Sequence, residues 1–190
     1  MVVIFTVGFT LYYIWRTAHP LTLIREEIFI SFDGREQTIT GVYHFKNHLP
    51  MNAAVNLEYP IPSGSGLGEA IIENVVLGPP ERHQDVEYNY TDQDNIRLII
   101  NVPPFGDTRL AVKYRQLVTG GTLVIGIRSA GPWGPARRRG TVYLNLPEDY
   151  RIDSISGEWE TSDIPEWDYA KVLSKGHPDI QMEIKVNHNK

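Results

Sequence analysis

The chain has 190 residues, a formal charge of −5 and a pI near 5.7. That length favours one domain, or one domain with an appendage, and lets an apolar core form without metals or disulfides. The acidic balance argues against a nucleic-acid binder, which needs a concentrated basic footprint, and the lack of cysteine excludes disulfides, thiolate zinc sites and cysteine nucleophiles.

From Met1 to Trp15 no side chain is charged, and Arg16 ends the run. As a helix this segment spans roughly 22 Å, short of the ~30 Å hydrocarbon core of a bilayer. Arg16 can snorkel to close that gap, or the anchor continues upstream of Met1. Phe5 and Phe9 sit within the run, and Tyr12, Tyr13 and Trp15 form an aromatic belt of the kind found at membrane interfaces. Residues 1–20 are therefore expected to be a single-pass membrane anchor, with residues 21–190 as the domain it carries. A cleavable signal peptide fits less well, because no basic residue opens the segment and Thr17-Ala18-His19 is a poor cleavage site. A long buried strand is the remaining reading, given the β-branched and aromatic content. Arg16 and Arg25 follow the segment and no basic residue precedes it, so charge alone points to a cytoplasmic domain.

Beyond Pro20 the pattern is one of short strands and turns. Ile28, Ile30 and Phe32 alternate with Phe29 and Ser31 at the period of a strand, and Asp33-Gly34 is a hairpin signal. Further strands are expected over residues 38–45, 53–59, 71–77, 86–90, 96–102, 109–117, 122–128, 141–146, 152–159 and 180–186, with Gly, Pro, Asn and Asp clusters between them. Asn47 suits an Asx-turn, and Pro60 and Pro62 lack ladder donors and are expected to end pairing. One turn of helix is expected somewhere in 165–175. The fold class is all-β: an antiparallel β-sandwich of roughly ten strands behind an N-terminal hydrophobic helix. The Gly120-Gly121 break leaves room for a second lobe over 120–190.

Three stretches carry a family resemblance. They are Val42-Tyr43-His44-Phe45-Lys46-Asn47, Leu57-Glu58-Tyr59-Pro60-Ile61-Pro62, and Leu110-Ala111-Val112-Lys113-Tyr114-Arg115-Gln116. Together they resemble the skeleton of VIT-type domains, the β-sandwiches of inter-alpha-trypsin inhibitor heavy chains and related bacterial surface proteins, over residues 23–117. The resemblance implies an extracytoplasmic sandwich used for interaction rather than catalysis, and supplies no functional residue.

Several short patterns invite a chemical reading. Gly64-Ser65-Gly66-Leu67-Gly68 is glycine-rich, but prolines precede it and a strand follows, so a mobile loop is expected rather than a nucleotide site. Asp92, Asp94 and Asn95 alternate oxygens as calcium loops do, yet lack the glycine and distal glutamate, so a hairpin turn is expected. Asn89-Tyr90-Thr91 is formally a glycosylation sequon. The histidines form no HxH or HExxH pair; His44 and His48 flank one strand end. There is no GxSxG elbow, and carboxylate pairs such as Glu26 with Glu27 or Glu58 with Glu73 read as solvated faces. No catalytic residue, metal or cofactor is expected.

The sharpest candidate for binding is the loop over 131–140. There Trp133 sits in a Gly/Pro frame ahead of Arg137, Arg138 and Arg139. Three arginines in an acidic chain make a local positive field suited to anionic lipid or an acidic protein partner. Its bland counterpart is a long hairpin tip. Tyr150, Trp159, Trp167 and Tyr169 make the C-terminal part aromatic, which suggests sugar binding or, more simply, core filling. The leading expectation is a membrane-tethered, non-catalytic interaction or structural module of the cell envelope. Its alternatives are a carbohydrate-binding module and a hydrolase built from sequence-distant residues.

Overall fold

The computed structural model describes residues 21–126 apart from 65, 93 and 120, together with 140–155, 159–163, 169–174 and 181–188. The proposed anchor and the Trp133 loop lie outside these described residues. Among those described, no helix is long and apolar enough to cross a membrane.

The protein is all-β. In chain order the strands are β1 (Leu21–Phe32), β2 (Glu36–Asn47), β3 (Ala53–Pro60), β4 (Ile71–Leu77), β5 (Gln84–Asp85), β6 (Tyr88–Tyr90) and β7 (Asn95–Val102). They continue as β8 (Asp107–Leu117), β9 (Thr122–Gly126), β10 (Gly140–Asn145), β11 (Tyr150–Ile155), β12 (Trp159–Asp163), β13 (Tyr169–Ser174) and β14 (Gln181–His188). Among the described residues one 3-10 turn occupies Pro80–Arg82. One sheet has eight strands in the order β12-β13-β10-β1-β2-β8-β4-β5; two three-stranded sheets run β11-β14-β9 and β3-β7-β6. Residues of all three share one core, including Ile30, Phe45, Tyr114, Leu57, Ile100, Leu123 and Ile184. The architecture is sandwich-like, and the residues of β9, β10 and β14 pack on the same core as those of β1–β8.

Alternation drives this assembly. In β7, Ile96, Leu98, Ile100 and Val102 are buried while Arg97, Ile99 and Asn101 face outward. In β1 the buried positions are Leu21 and Leu23, then Glu26, Ile28, Ile30 and Phe32. A bulge between Leu23 and Arg25 resets the parity and leaves Ile24 exposed. At the far end of β1, Asp33 accepts bonds from the Arg35 and Glu36 amides (2.9 and 2.7 Å), and Gly34 takes a φ of 96°. Those two backbone bonds hold the Asp33 carboxyl below its ordinary range.

Three expectations are corrected. The large sheet is mixed, because β1 and β10 pair in parallel, from Glu26 with Gly140 to Ser31 with Asn145. Parallel partners need a long connection, which a hairpin-by-hairpin reading misses. There are fourteen strands among the described residues, not roughly ten. Residues 169–174 form β13 rather than a helical turn, held between β10 and β12. Pairing does stop at the Pro60-Ile61-Pro62 stretch, as expected: Pro60, opposite Asn95, is the last residue of β3, and one further bond runs from the Ile61 amide to the Asp94 carbonyl at 2.6 Å. Proline is tolerated because β3 is an edge strand whose outward side needs no donor.

The registers define two ends. Leu21, Asn47, Ala53, Val102 and Asp107 lie at one end, since Leu21 pairs with Asn47, Lys46 with Asp107 and Ala53 with Val102. Phe32, Glu36, Pro60, Asn95 and Leu117 lie at the other. Twelve residues of β1 at ~3.3 Å each separate them by roughly 36 Å.

Candidate functional site

At the Phe32 end an open groove of about 670 Å³ lies between the glycine-rich loop and the β6–β7 hairpin. Pro62, Gly68 and Glu69 form one wall, Tyr90 and Asp92 the other, and Gln116 lies at the base. Each wall is built from local chemistry. Asp92 accepts the Asp94 amide at 2.8 Å and the Asn95 side-chain amide at 2.9 Å, which is an Asx-turn closing the hairpin. Its carboxylate is thus engaged in shaping the turn.

The opposite wall is strapped down. Gln116 is buried, and its side-chain amide donates to the Pro62 and Gly68 carbonyls, both at 2.8 Å. The Gly68 amide donates to the Leu117 carbonyl at 2.9 Å, and the Thr119 amide to that of Gly66 at 2.7 Å. Gln37 steadies Gln116 from behind, donating to its Oε1 at 3.1 Å and to the Val124 carbonyl at 3.3 Å. The loop expected to be mobile is therefore bonded to the strand edge at several points.

Tyr90 is the aromatic face of the groove. It is 54% exposed and stands edge-on to Tyr88, with ring centroids 6.0 Å apart. Desolvation raises its hydroxyl above the ordinary range, so it is a neutral donor and acceptor at physiological pH. Glu69, exposed on the opposite wall, is a nearby carboxylate. An aromatic face, carboxylates and backbone carbonyls suit a neutral polar ligand with hydroxyl donors.

The other residues that sequence reading singled out fall elsewhere. Trp133, Arg137, Arg138 and Arg139 lie outside the described residues, as do Phe5, Phe9, Tyr12, Tyr13, Trp15 and Arg16. Tyr150 fills space beside Gly34 and packs edge-on to Phe32 at 5.3 Å, a scaffold role. Glu26 is buried, whereas Glu27 meets Arg25 at 2.6 Å and lies 3.5 Å from His44. Glu73 bridges Lys113 at 2.8 Å and Arg115 at 3.6 Å; the bond from Lys113 chiefly lowers its carboxyl from the ordinary range. Glu58 and Glu73 belong to different sheets. Among the described residues no three His, Asp or Glu side chains converge to hold a metal. Glu69 carries no sequence signal, and Gln116 and Tyr90 appear in sequence only within the resemblance stretch and the sequon, because only the β3–β7 register brings the two turns face to face.

Neither a protein family nor a curated protein matches the chain in sequence. Its structure is similar to that of a candidate nutrient binding protein from Legionella pneumophila, with a TM-score of 0.57 and 12% identity over 89% of this chain and 67% of that one. It is also similar to the M1 zinc metallopeptidase from Deinococcus radiodurans, with a TM-score of 0.50 and 9% identity over 88% of this chain and 42% of that one. The chain thus spans less than half of the peptidase. At these identities the likeness shows a shared fold alone.

Proposed function

We propose that the protein is a membrane-tethered, non-catalytic interaction module of the cell envelope. The anchor over residues 1–20, with its uncharged run at 1–15, holds it to the bilayer, and the sandwich carries the binding surface. The observation behind this reading is where β1 begins. Leu21 pairs with Asn47 at one end of β1, while the groove lies at the other, roughly 36 Å away. Tether and groove do not compete for the same face.

The resemblance to VIT-type domains supports the same reading. The stretches that carry it meet inside the protein: the Tyr43 and Tyr59 hydroxyls are 3.3 Å apart, the Tyr59 and Tyr114 rings pack at 6.4 Å, and Gln116 bonds to Pro62. Burial drives all three tyrosine hydroxyls above their ordinary range, which suits a neutral structural cluster. Protease added to intact cells is expected to remove the domain while a cytosolic marker stays whole. Survival of the domain until lysis would place it inside and contradict the envelope assignment.

A second reading concerns the ligand. The half-exposed ring of Tyr90 beside Glu69 favours a sugar in the groove. In calorimetric titrations with soluble oligosaccharides, Tyr90→Ala is expected to weaken binding on the order of tenfold, equivalent to roughly 1.4 kcal/mol. Equal affinity of the variant and the parent chain would remove the sugar from this groove.

A further inference from the structure

The end of the domain at which β1 begins carries an exposed apolar tip. Two loops form it, residues 48–52 between β2 and β3 and residues 103–106 between β7 and β8. Neither contains an Asp, Glu, Lys or Arg, which make up 22% of the chain, and His48 is their one ionisable side chain. Met51 is 51% exposed and Phe105 60%, with Pro50 and Pro104 also exposed beside them.

The tip is rigidly built. Asn47, fully buried, donates to the carbonyls of Met51 and Pro103 at 2.8 Å and of Val102 at 3.1 Å. Its own Oδ1 accepts the Leu49 amide at 2.8 Å, the expected Asx-turn. The Phe105 amide donates to the Leu49 carbonyl at 3.0 Å, and the Asn47 amide to that of Gly106 at 2.8 Å, so the two loops are fastened to each other.

Phe105 sits where its backbone prefers another residue. In the turn from Pro103 to Gly106, closed by a 3.0 Å bond, it occupies the third position with a φ of 51°. A positive φ there favours glycine or asparagine. A large apolar ring is held outward at a conformational cost with no gain in core burial, so its use lies outside the domain.

We propose that this tip seats the domain on the bilayer, with Met51 and Phe105 in the interfacial region of the same leaflet from which the anchor emerges. This rests on the reading of residues 1–15 as membrane-embedded. On that reading, the occupant follows from the number of residues between the apolar run and β1 and from where β1 begins. Residues 16–20 reach at most roughly 17 Å. Leu21 is paired with Asn47, the residue that organises both loops. A tether that short, attached at that point, brings the tip to the lipid surface, where uncharged loops with Phe, Met and Pro are favoured over charged ones.

The chain has no native cysteine, so single-cysteine labelling is clean. Full-length Phe105→Cys, Met51→Cys and, as a control at the opposite end, Arg35→Cys are labelled with an environment-sensitive dye. They are reconstituted in phosphatidylcholine/phosphatidylglycerol vesicles and floated on a gradient. The proposal expects all three to float, with lipid-borne quenchers dimming the dye at 105 and 51 several-fold more than at 35. Flotation with equal quenching at all three positions would overturn the seating while leaving the anchor intact. Failure to float would overturn the anchor, and the seating with it. As a second readout, unlabelled Phe105→Asn relieves the backbone cost. It is expected to unfold no earlier than the parent while Met51→Cys in its background loses lipid quenching. Undiminished quenching there would contradict a role for the ring.

Discussion

Replacing Asn47 by Leu is expected to cost about 4 kcal/mol of stability, although the two side chains are close in size. The substitution removes an amide whose two N–H groups are shared among three carbonyls and whose oxygen accepts one amide, and it leaves the Met51, Val102 and Pro103 carbonyls and the Leu49 amide without their present partner. Each such loss costs on the order of 1 kcal/mol, and the sum falls among the larger effects of a single substitution. For a domain of this size the midpoint of thermal unfolding drops by roughly 8–16 °C. Asn52→Leu, exposed in the same loop, is the control and is expected to stay within about 0.5 kcal/mol of the parent. Circular dichroism melts of the two variants settle the point. Equal midpoints would show that Asn47 is not the clasp between the loops.

The second large effect has an unusual sign. Alanine normally fits a strand better than glycine does. At position 41 it is expected to destabilise the protein by about 2–3 kcal/mol, because the core is already full there. A Cβ on Gly41 would lie 2.5 Å from the Tyr43 hydroxyl oxygen and 2.7 Å from its ring. That ring is locked in the core, edge-on to Tyr59 at 5.7 Å, and its hydroxyl donates to that of Tyr59 at 3.3 Å. It has nowhere to retreat. Shortening the ring in the same chain, Gly41→Ala with Tyr43→Ser, is expected to cost less than the sum of the two single changes. A neutral or stabilising Gly41→Ala, measured by denaturant unfolding, would show that the ring does not lie across the glycine.

Much of the fold was legible where alternation and turn chemistry speak together. The β7 pattern of Ile96, Leu98, Ile100 and Val102, the Asp33-Gly34 hairpin and the Asx-turns of Asn47 and Asp92 all follow from residues close in sequence. Readings failed where a distant partner decides. β13, with Ala170, Lys171 and Leu173, has a composition equally at home in a helix; pairing with β10 and β12 makes it a strand. The start of β1 was missed because the bulge after Leu23 breaks the alternation that reveals the rest of the strand. The parallel β1–β10 pair has no local signature at all.

The candidate site was legible only in pieces. The 63–68 loop and the Asp92–Asn95 turn each read as an ordinary connection, and each is one. Their joint meaning depends on the β3–β7 register and on Gln116, which reaches across from the other sheet to Pro62 and Gly68. Phe105 lies in a Pro-Pro-Phe-Gly stretch whose sequence signals only a turn. Only its positive φ and its exposure mark it as something held outward.

The tether underlies both the envelope assignment and the seating of the tip, and one fractionation tests it. Membranes from cells producing the full chain are compared with membranes from cells producing residues 21–190, after a carbonate wash that strips peripheral proteins. The full chain is expected in the membrane pellet and the shortened chain in the supernatant. Retention of residues 21–190 in the washed pellet, or release of the full chain, would contradict an anchor in residues 1–20.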